Sequence, residues 1–208
     1  MALTKERDKM QTDQWKIGIF LFNDVEVLDF AGPFEVFSVT AREDGSKPFI
    51  VQTISETGQM IRARNGLKVY PDYSFQTMAK FDLLIIPGGL GAREREVHNK
   101  TVINWIKEQM GEVQWMASVC TGALLLAEAG LLDGLNATTH WASLTRLKEE
   151  YPQVNVVKKV KFVDEGRIIT SGGISAGINM SFHLVKRLAG VKIAKETAKR
   201  MEYDVELS

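Results

Sequence analysis

Short, nearly unbroken apolar runs alternate along this chain with amphipathic stretches of helical length. Ile17-Gly18-Ile19-Phe20-Leu21-Phe22 is the first run, and so short and uniform a segment reads as a strand covered on both faces, as in a parallel sheet. After the polar break Asn23 to Glu26, Asp29-Phe30-Ala31-Gly32-Pro33 opens a helix through about Val39, with Asp at its start and Pro soon after. Phe49 to Ile54 reads as a second strand, and the glycine-punctuated stretch beyond it as a hairpin through Val69. Leu83-Leu84-Ile85-Ile86 is another buried strand, ending in Pro87-Gly88-Gly89-Leu90-Gly91 and followed by a helix from about Thr101 to Met110. Gln114 to Val119 runs straight into Cys120 and an apolar helix, Gly122 to Ala129, with Gly130 and Gly134 marking its exit. A short strand at Ala137 to Thr139 precedes a helix at Ser143 to Tyr151. Val156 to Val163 and Arg167 to Thr170 flank Asp164-Glu165-Gly166, a hairpin signal. Two helices close the pattern, Ala176 to Ala189 and Val191 to Tyr203.

Strands alternating with helices predict an α/β three-layer sandwich, a mostly parallel sheet with helices on both faces. With no repeat, linker or low-complexity segment, one domain is expected over residues 16–208, after a loosely packed N-terminal tail at 1–15.

Charge narrows the function classes. Lys plus Arg and Asp plus Glu number 26 each, so no broad electrostatic footprint for nucleic acid or acidic membranes is expected. No apolar run approaches the roughly 18 residues of a membrane span, and the polar opening Met1 to Lys16 lacks the apolar core of a signal peptide. A single cysteine excludes an intrachain disulfide, and the expected location is cytoplasmic. Three histidines and one cysteine without a close cluster imply no metal site, and no cofactor is expected.

The chemistry concentrates where strands end. Cys120 stands between an apolar strand and the helix after it, a sharp turn that would hold its side chain out of the sheet. The helix N–H groups there favour an anion, so a thiol of lowered pKa and nucleophilic character is expected. The alternative is a small buried hydrophobe. Pro87-Gly88-Gly89-Leu90-Gly91, also at a strand end, could aim main-chain N–H groups into a crevice as an oxyanion hole, or be a plain loop. It is no dinucleotide fingerprint, because Glu94 stands where the last glycine would be. Asp29 could move a proton beside a thiol or simply cap its helix.

Five segments in order carry a resemblance: Leu28-Asp29-Phe30-Ala31-Gly32-Pro33, Ile86-Pro87-Gly88-Gly89, Ser118-Val119-Cys120-Thr121-Gly122, Ala137-Thr138-Thr139-His140-Trp141-Ala142, and Thr170-Ser171-Gly172-Gly173-Ile174-Ser175-Ala176-Gly177-Ile178. Together they resemble the ThiJ/PfpI superfamily over about Lys16 to Tyr203. The resemblance implies a flavodoxin-like, class I glutamine amidotransferase-like fold and a homodimer acting on a small molecule. Within the superfamily the chain is most similar to the isocyanide hydratases, which carry Asp at the position of Asp29 and Cys-Thr at Cys120 and Thr121. That likeness implies attack of the Cys120 thiolate on the terminal carbon of an isocyanide to give a covalent thioimidate. Asp29 would manage protons and activate the water that releases an N-substituted formamide. Gly88, Gly89 and Leu90 amides and the Thr121 side chain would orient the intermediate. Asn179 departs from the Asp often found there and bears on pocket detail.

Histidine separates the rivals. PfpI-type peptidases place it directly after the cysteine, where this chain has Thr121, and His183-Leu184-Val185 does not match the late His-x-Glu of amidotransferases. His98 sits among charges and reads as exposed, His183 reads as packing, and His140 could line the pocket. A similar domain forms the N-terminal part of AraC-type regulators, so a free-standing small-molecule sensor is the alternative. The chain stops at Ser208, soon after the last predicted helix, and no DNA-binding portion is expected. A redox or stress-response role for Cys120 is a third reading, but its branch carries Glu at the Asp29 position.

Overall fold

A computed structural model of the chain describes residues 14–207. The expected tail therefore lies mostly outside the described residues, and Trp15, assigned to it, instead opens the first strand and is buried. The elements in chain order are β1 (Trp15–Phe20), α1 (Val27–Val39), β2 (Phe49–Ser55), β3 (Ile61–Arg62), β4 (Lys68–Val69), β5 (Tyr73–Ser74) and β6 (Leu83–Ile86). Then come α2 (Leu90–Glu94), α3 (Lys100–Glu112), β7 (Trp115–Ser118), α4 (Gly122–Glu128), β8 (Asn136–Ala137) and α5 (Leu144–Glu150). The last are β9 (Asn155–Val156), β10 (Phe162–Asp164), β11 (Ile168–Ser171), α6 (Ala176–Ala189) and α7 (Val191–Arg200).

Seven strands form one sheet in the order β10-β11-β7-β6-β1-β2-β5, parallel except for β10, which pairs antiparallel with β11. The two apolar runs that looked most strand-like, β6 and β7, are buried at every position and pair directly, Leu83 with Trp115 through Ile86 with Ser118. This α/β sandwich is the fold class expected from the alternation. Helices α1, α6 and α7 pack together as one group and α2, α3 and α4 as another. From β1 the chain moves through α1 to β2 on one side, while β6 connects to β7 on the other. The direction reverses between β1 and β6, and the crevice outside the carboxyl ends of those strands is where such sheets bind ligands.

Several boundaries differ from expectation. The long strand expected at Val156 to Val163 is split: β9 pairs in parallel with β8 as a separate ribbon, and only Phe162–Asp164 joins the main sheet. Helix α1 begins two residues before Asp29, so the cap position is Glu26, whose side chain makes no capping bond. Asp29 thus sits inside the first turn and is free of a capping role. Pro33 lies within this helix and was expected near its start.

Candidate active site

Cys120 occupies the turn between β7 and α4 with φ of 56°, a left-handed conformation that a residue with a Cβ adopts at a cost of about 1–2 kcal/mol. Surrounding contacts hold it there. The Val119 N–H donates to the Ile86 carbonyl at 3.0 Å, the Cys120 N–H to the Gly172 carbonyl at 3.1 Å, and the Thr139 hydroxyl to the Cys120 carbonyl at 2.7 Å. The next turn must pass tight against β6, because a Cβ on Gly122 would stand 2.0 Å from the Ile86 carbonyl oxygen. The elbow read from sequence is therefore built by three strands and by Thr139, a residue that had drawn no role.

Asp29 comes from the first turn of α1, the helix that follows β1. It is wholly buried, and its Oδ2 accepts the Gly88 N–H at 3.0 Å while Oδ1 has no hydrogen-bond partner. Burial pushes its carboxyl up to about 7; the Gly88 N–H opposes the shift and the Glu26 charge adds to it. Carboxyl and thiol are neighbours, each perturbing the other's protonation. Cys120 is only 6% exposed. Burial, and then the Asp29 charge, push its thiol up to about 12, while the Thr121 and Ile174 backbone N–H groups on the sulfur pull it down. The lowered thiol pKa expected from the helix start is corrected here: desolvation outweighs the local N–H groups.

The expected oxyanion loop also needs correction. The Gly88 N–H is engaged by Asp29, and the Gly89 N–H donates to Thr121 Oγ1 at 2.9 Å, so neither amide is open to a substrate. The Thr121 hydroxyl donates in turn to the Gly89 carbonyl at 3.2 Å and thus ties the two strand-end loops together. Gly88 is fitted to this junction, since a Cβ there would stand 2.4 Å from Thr121 N and 3.0 Å from Asp29 Oδ2. Leu90 begins α2 and is 37% exposed. The amides that address the sulfur are those of Thr121 and Ile174 instead. Ile174 has φ of 51°, rare for a β-branched residue, at the end of the loop leaving β11. Its motif was visible in the sequence, but nothing in residue type marks a main-chain N–H as aimed at a thiol.

His140 lies half-buried against Gly173, where an added Cβ would come within 2.1 Å of its ring. Its Nδ1 accepts the Ala142 N–H at 3.3 Å, which leaves the proton of the neutral ring on Nε2. Burial, then the Arg93 charge, lower its pKa, and Glu26 opposes them. The structure thus brings Asp29, Cys120, Thr121, Gly88 and Gly89 together, with Leu90 and His140 at the rim. Asn179 faces away from them, accepting a hydrogen bond from the Tyr203 hydroxyl at 3.3 Å. His98 is exposed, and His183 pairs with Asp164. Among the described residues no group of three or more His, Cys, Asp or Glu side chains could hold a metal ion, and no helix is long and apolar enough to cross a membrane.

An isonitrile hydratase of Pseudomonas putida is 32% identical over 190 residues, covering 90% of this chain and 78% of that protein. The HTH-type transcriptional regulator GbdR of Pseudomonas aeruginosa is 28% identical over 188 residues, and the match spans 90% of this chain but half the regulator's length. A ThiJ/PfpI family protein from Pseudomonas syringae superposes with a TM-score of 0.83 at 22% identity, over 94% of this chain and 77% of that one, which supports the fold. The DJ-1/PfpI family model matches residues 15–187, from the first strand through most of α6, and the chain belongs to that family.

Proposed function

We propose that the protein is a cofactor-free isocyanide hydratase, adding water to R–NC to give an N-substituted formamide through a thioimidate on Cys120. One observation carries the reading: a wholly buried carboxyl, held by the Gly88 N–H and with Oδ1 unpartnered, lies beside the nearly buried Cys120 thiol, and burial raises the pKa of both. Hydration of an isocyanide first adds both sulfur and hydrogen to the terminal carbon, so a protonated thiol is a suitable resting state. Ionised Asp29 takes the S–H proton and delivers it to the terminal carbon as the sulfur bonds there, forming R–N=CH–S–Cys120. Asp29 then removes a proton from water as the water oxygen adds to that carbon. Nitrogen gains a proton, the C–S bond breaks, and the thiol and R–NH–CHO are released. The Thr121 and Ile174 N–H groups stabilise sulfur as it carries charge.

The likeness to the Pseudomonas putida hydratase supports the reading, and membership of the DJ-1/PfpI family supports a homodimer acting on a small molecule; a cytoplasmic location belongs to the same proposal. The likeness to GbdR supports the alternative, a sensor that binds a small molecule without turning it over. Incubation with an aryl isocyanide separates them. Formamide is expected from the parent, none from Cys120→Ala, and a rate lower by about 10²–10⁴-fold from Asp29→Asn, the range of a general acid–base group. The parent's kcat/KM is expected to rise with pH through about 7, as Asp29 ionises. Formamide formed at equal rates by all three proteins, or by none, would sink the hydratase.

A further inference from the structure

A small hairpin outside the main sheet is docked on the loop that leads into α1. β3 pairs antiparallel with β4 as a separate ribbon. The Asp24 N–H donates to the Arg62 carbonyl at 2.7 Å, the Arg62 N–H to Asn23 Oδ1 at 2.8 Å, and the Arg64 N–H to the Val25 carbonyl at 2.9 Å. Held in this way, the turn of the hairpin sets Arg64 Nε 3.6 Å from Glu26 Oε2. The sequence marked this stretch only as a hairpin, and the proposed reaction gives it no part.

Glu26 is the residue before α1, and Asp29 is the third residue within it. At those two positions a helix start can close a capping box, in which each side chain bonds the main-chain N–H of the other residue. Here Gly88 stands between them. The Glu26 N–H donates to the Gly88 carbonyl at 2.9 Å, and the Gly88 N–H donates to Asp29 Oδ2 at 3.0 Å. The Asp29 carboxyl is thus engaged by the loop after β6, while the Glu26 carboxylate makes no capping bond and faces the hairpin's arginine. Two acids therefore stand within one turn of each other at the edge of the site.

The groups acting on Asp29 are the Gly88 N–H, Glu26 from the start of its own helix, and the Cys120 thiol from the β7–α4 turn. Glu26 bears on His140 as well, and at both residues its charge favours the protonated form. The Glu26 side chain is only 25% exposed, so solvent screens that charge in part.

We propose that Glu26 is a positioning residue for the Asp29 proton, its carboxylate fixed by Arg64 of the docked hairpin and its negative charge making Asp29 a stronger base. The inference rests on the hydratase reading for the use of that base, but the protonation of Asp29 can be followed without turnover.

The test compares Glu26→Gln with Arg64→Gln. Both break the ion pair, and only the first removes the negative charge. Glutamine at position 26 leaves the backbone bond to Gly88 in place, and circular dichroism and urea unfolding check the fold of each variant. With an aryl isocyanide, the midpoint of the kcat/KM profile against pH is expected to fall by about half a pH unit in Glu26→Gln. Arg64→Gln, which deletes a cation and keeps the carboxylate, is expected to leave the midpoint in place or raise it. A midpoint unmoved in Glu26→Gln, or lowered alike in both variants, would overturn the proposal, since the pair would then act only as a fastening. Carbon-13 NMR of the aspartate carboxyls follows the same titration without substrate, the Asp29 resonance being assigned by its absence from Asp29→Asn. An Asp29 midpoint that falls in Glu26→Gln but not in Arg64→Gln supports the assignment even if no isocyanide is hydrated, in which case the hydratase reading alone falls. An Asp29 resonance that titrates alike in parent and Glu26→Gln overturns it.

Discussion

Asp164, in the β10–β11 hairpin, faces His183 Nε2 at 2.7 Å and accepts Arg187 Nη1 at 3.2 Å and the Gly166 N–H at 2.8 Å, whereas Asp29 accepts the Gly88 N–H and leaves Oδ1 without a partner. Burial acts on both carboxyls in the same direction. At Asp164 it is outweighed by His183, Gly166 and Arg187, and the carboxyl is held below the usual range. At Asp29 it prevails, and the carboxyl titrates near neutrality. The satisfied aspartate fastens a hairpin to α6. The under-satisfied one keeps a proton that can be moved, and the difference lies in how many donors the fold supplies.

Replacing Asp29 breaks the comparison most forcefully. Its folded pKa is raised, so its contribution to stability is present at low pH and falls away between about pH 4 and 7, as the unfolded chain ionises and the native one resists. Asp29→Asn removes that loss. Relative to the parent, it is expected to stabilise the protein by about 4 kcal/mol at pH 8 and by little at pH 4, while turnover collapses. Urea unfolding at the two pH values measures this, and an equal effect at both would refute it.

A smaller change tests the single donor. Gly88→Ala drives a Cβ into Thr121 N and Asp29 Oδ2, where backbone must give way. A loss of about 1–3 kcal/mol is expected, the usual penalty of overpacking, with slowed turnover. Unchanged melting and rate would show that the junction is looser than drawn. The smallest effect belongs to Asp164→Asn. After allowance for solvent screening at this partly exposed position, about 1 kcal/mol should be lost at pH 7. The sign is opposite to that at Asp29. A lowered carboxyl pKa gives stability that is present above the unfolded value and disappears as pH falls through the folded one, so parent and variant should converge in acid. Turnover should be unaffected, and a large fall would tie the hairpin to the chemistry.

Much of this architecture was legible because burial on both faces of a central strand leaves no polar position to blur it. Leu83 to Ile86 and the strand running into Cys120 carried their own boundaries, and the elbow followed from an apolar strand meeting an apolar helix. The two-residue strands β5, β8 and β9 are too short for a period to register, and β8 and β9 form a ribbon apart from the sheet. Within the site, residue types pointed to Cys120, Asp29 and Thr121, but hydrogen-bond direction did not follow from type. Gly88 and Gly89 look like open donors until Asp29 and Thr121 are seen to engage them. Ile174 looks like packing until its N–H is found addressing the sulfur. The thiol shift depends on desolvation, a property of the assembled fold that no local motif carries.

A cysteine that retains its proton at neutral pH is a poor target for alkylating agents, disulfides and peroxides, all of which react with the thiolate. Burial, which raises the Cys120 pKa, lowers the thiolate fraction open to adventitious electrophiles. In the proposed hydration, the thiol's reactivity is released by a molecule that enters the crevice and offers a carbon ready to take the proton as the sulfur bonds. The same burial that makes the residue look inert keeps it undamaged between encounters, so durability and selectivity come from one desolvated proton.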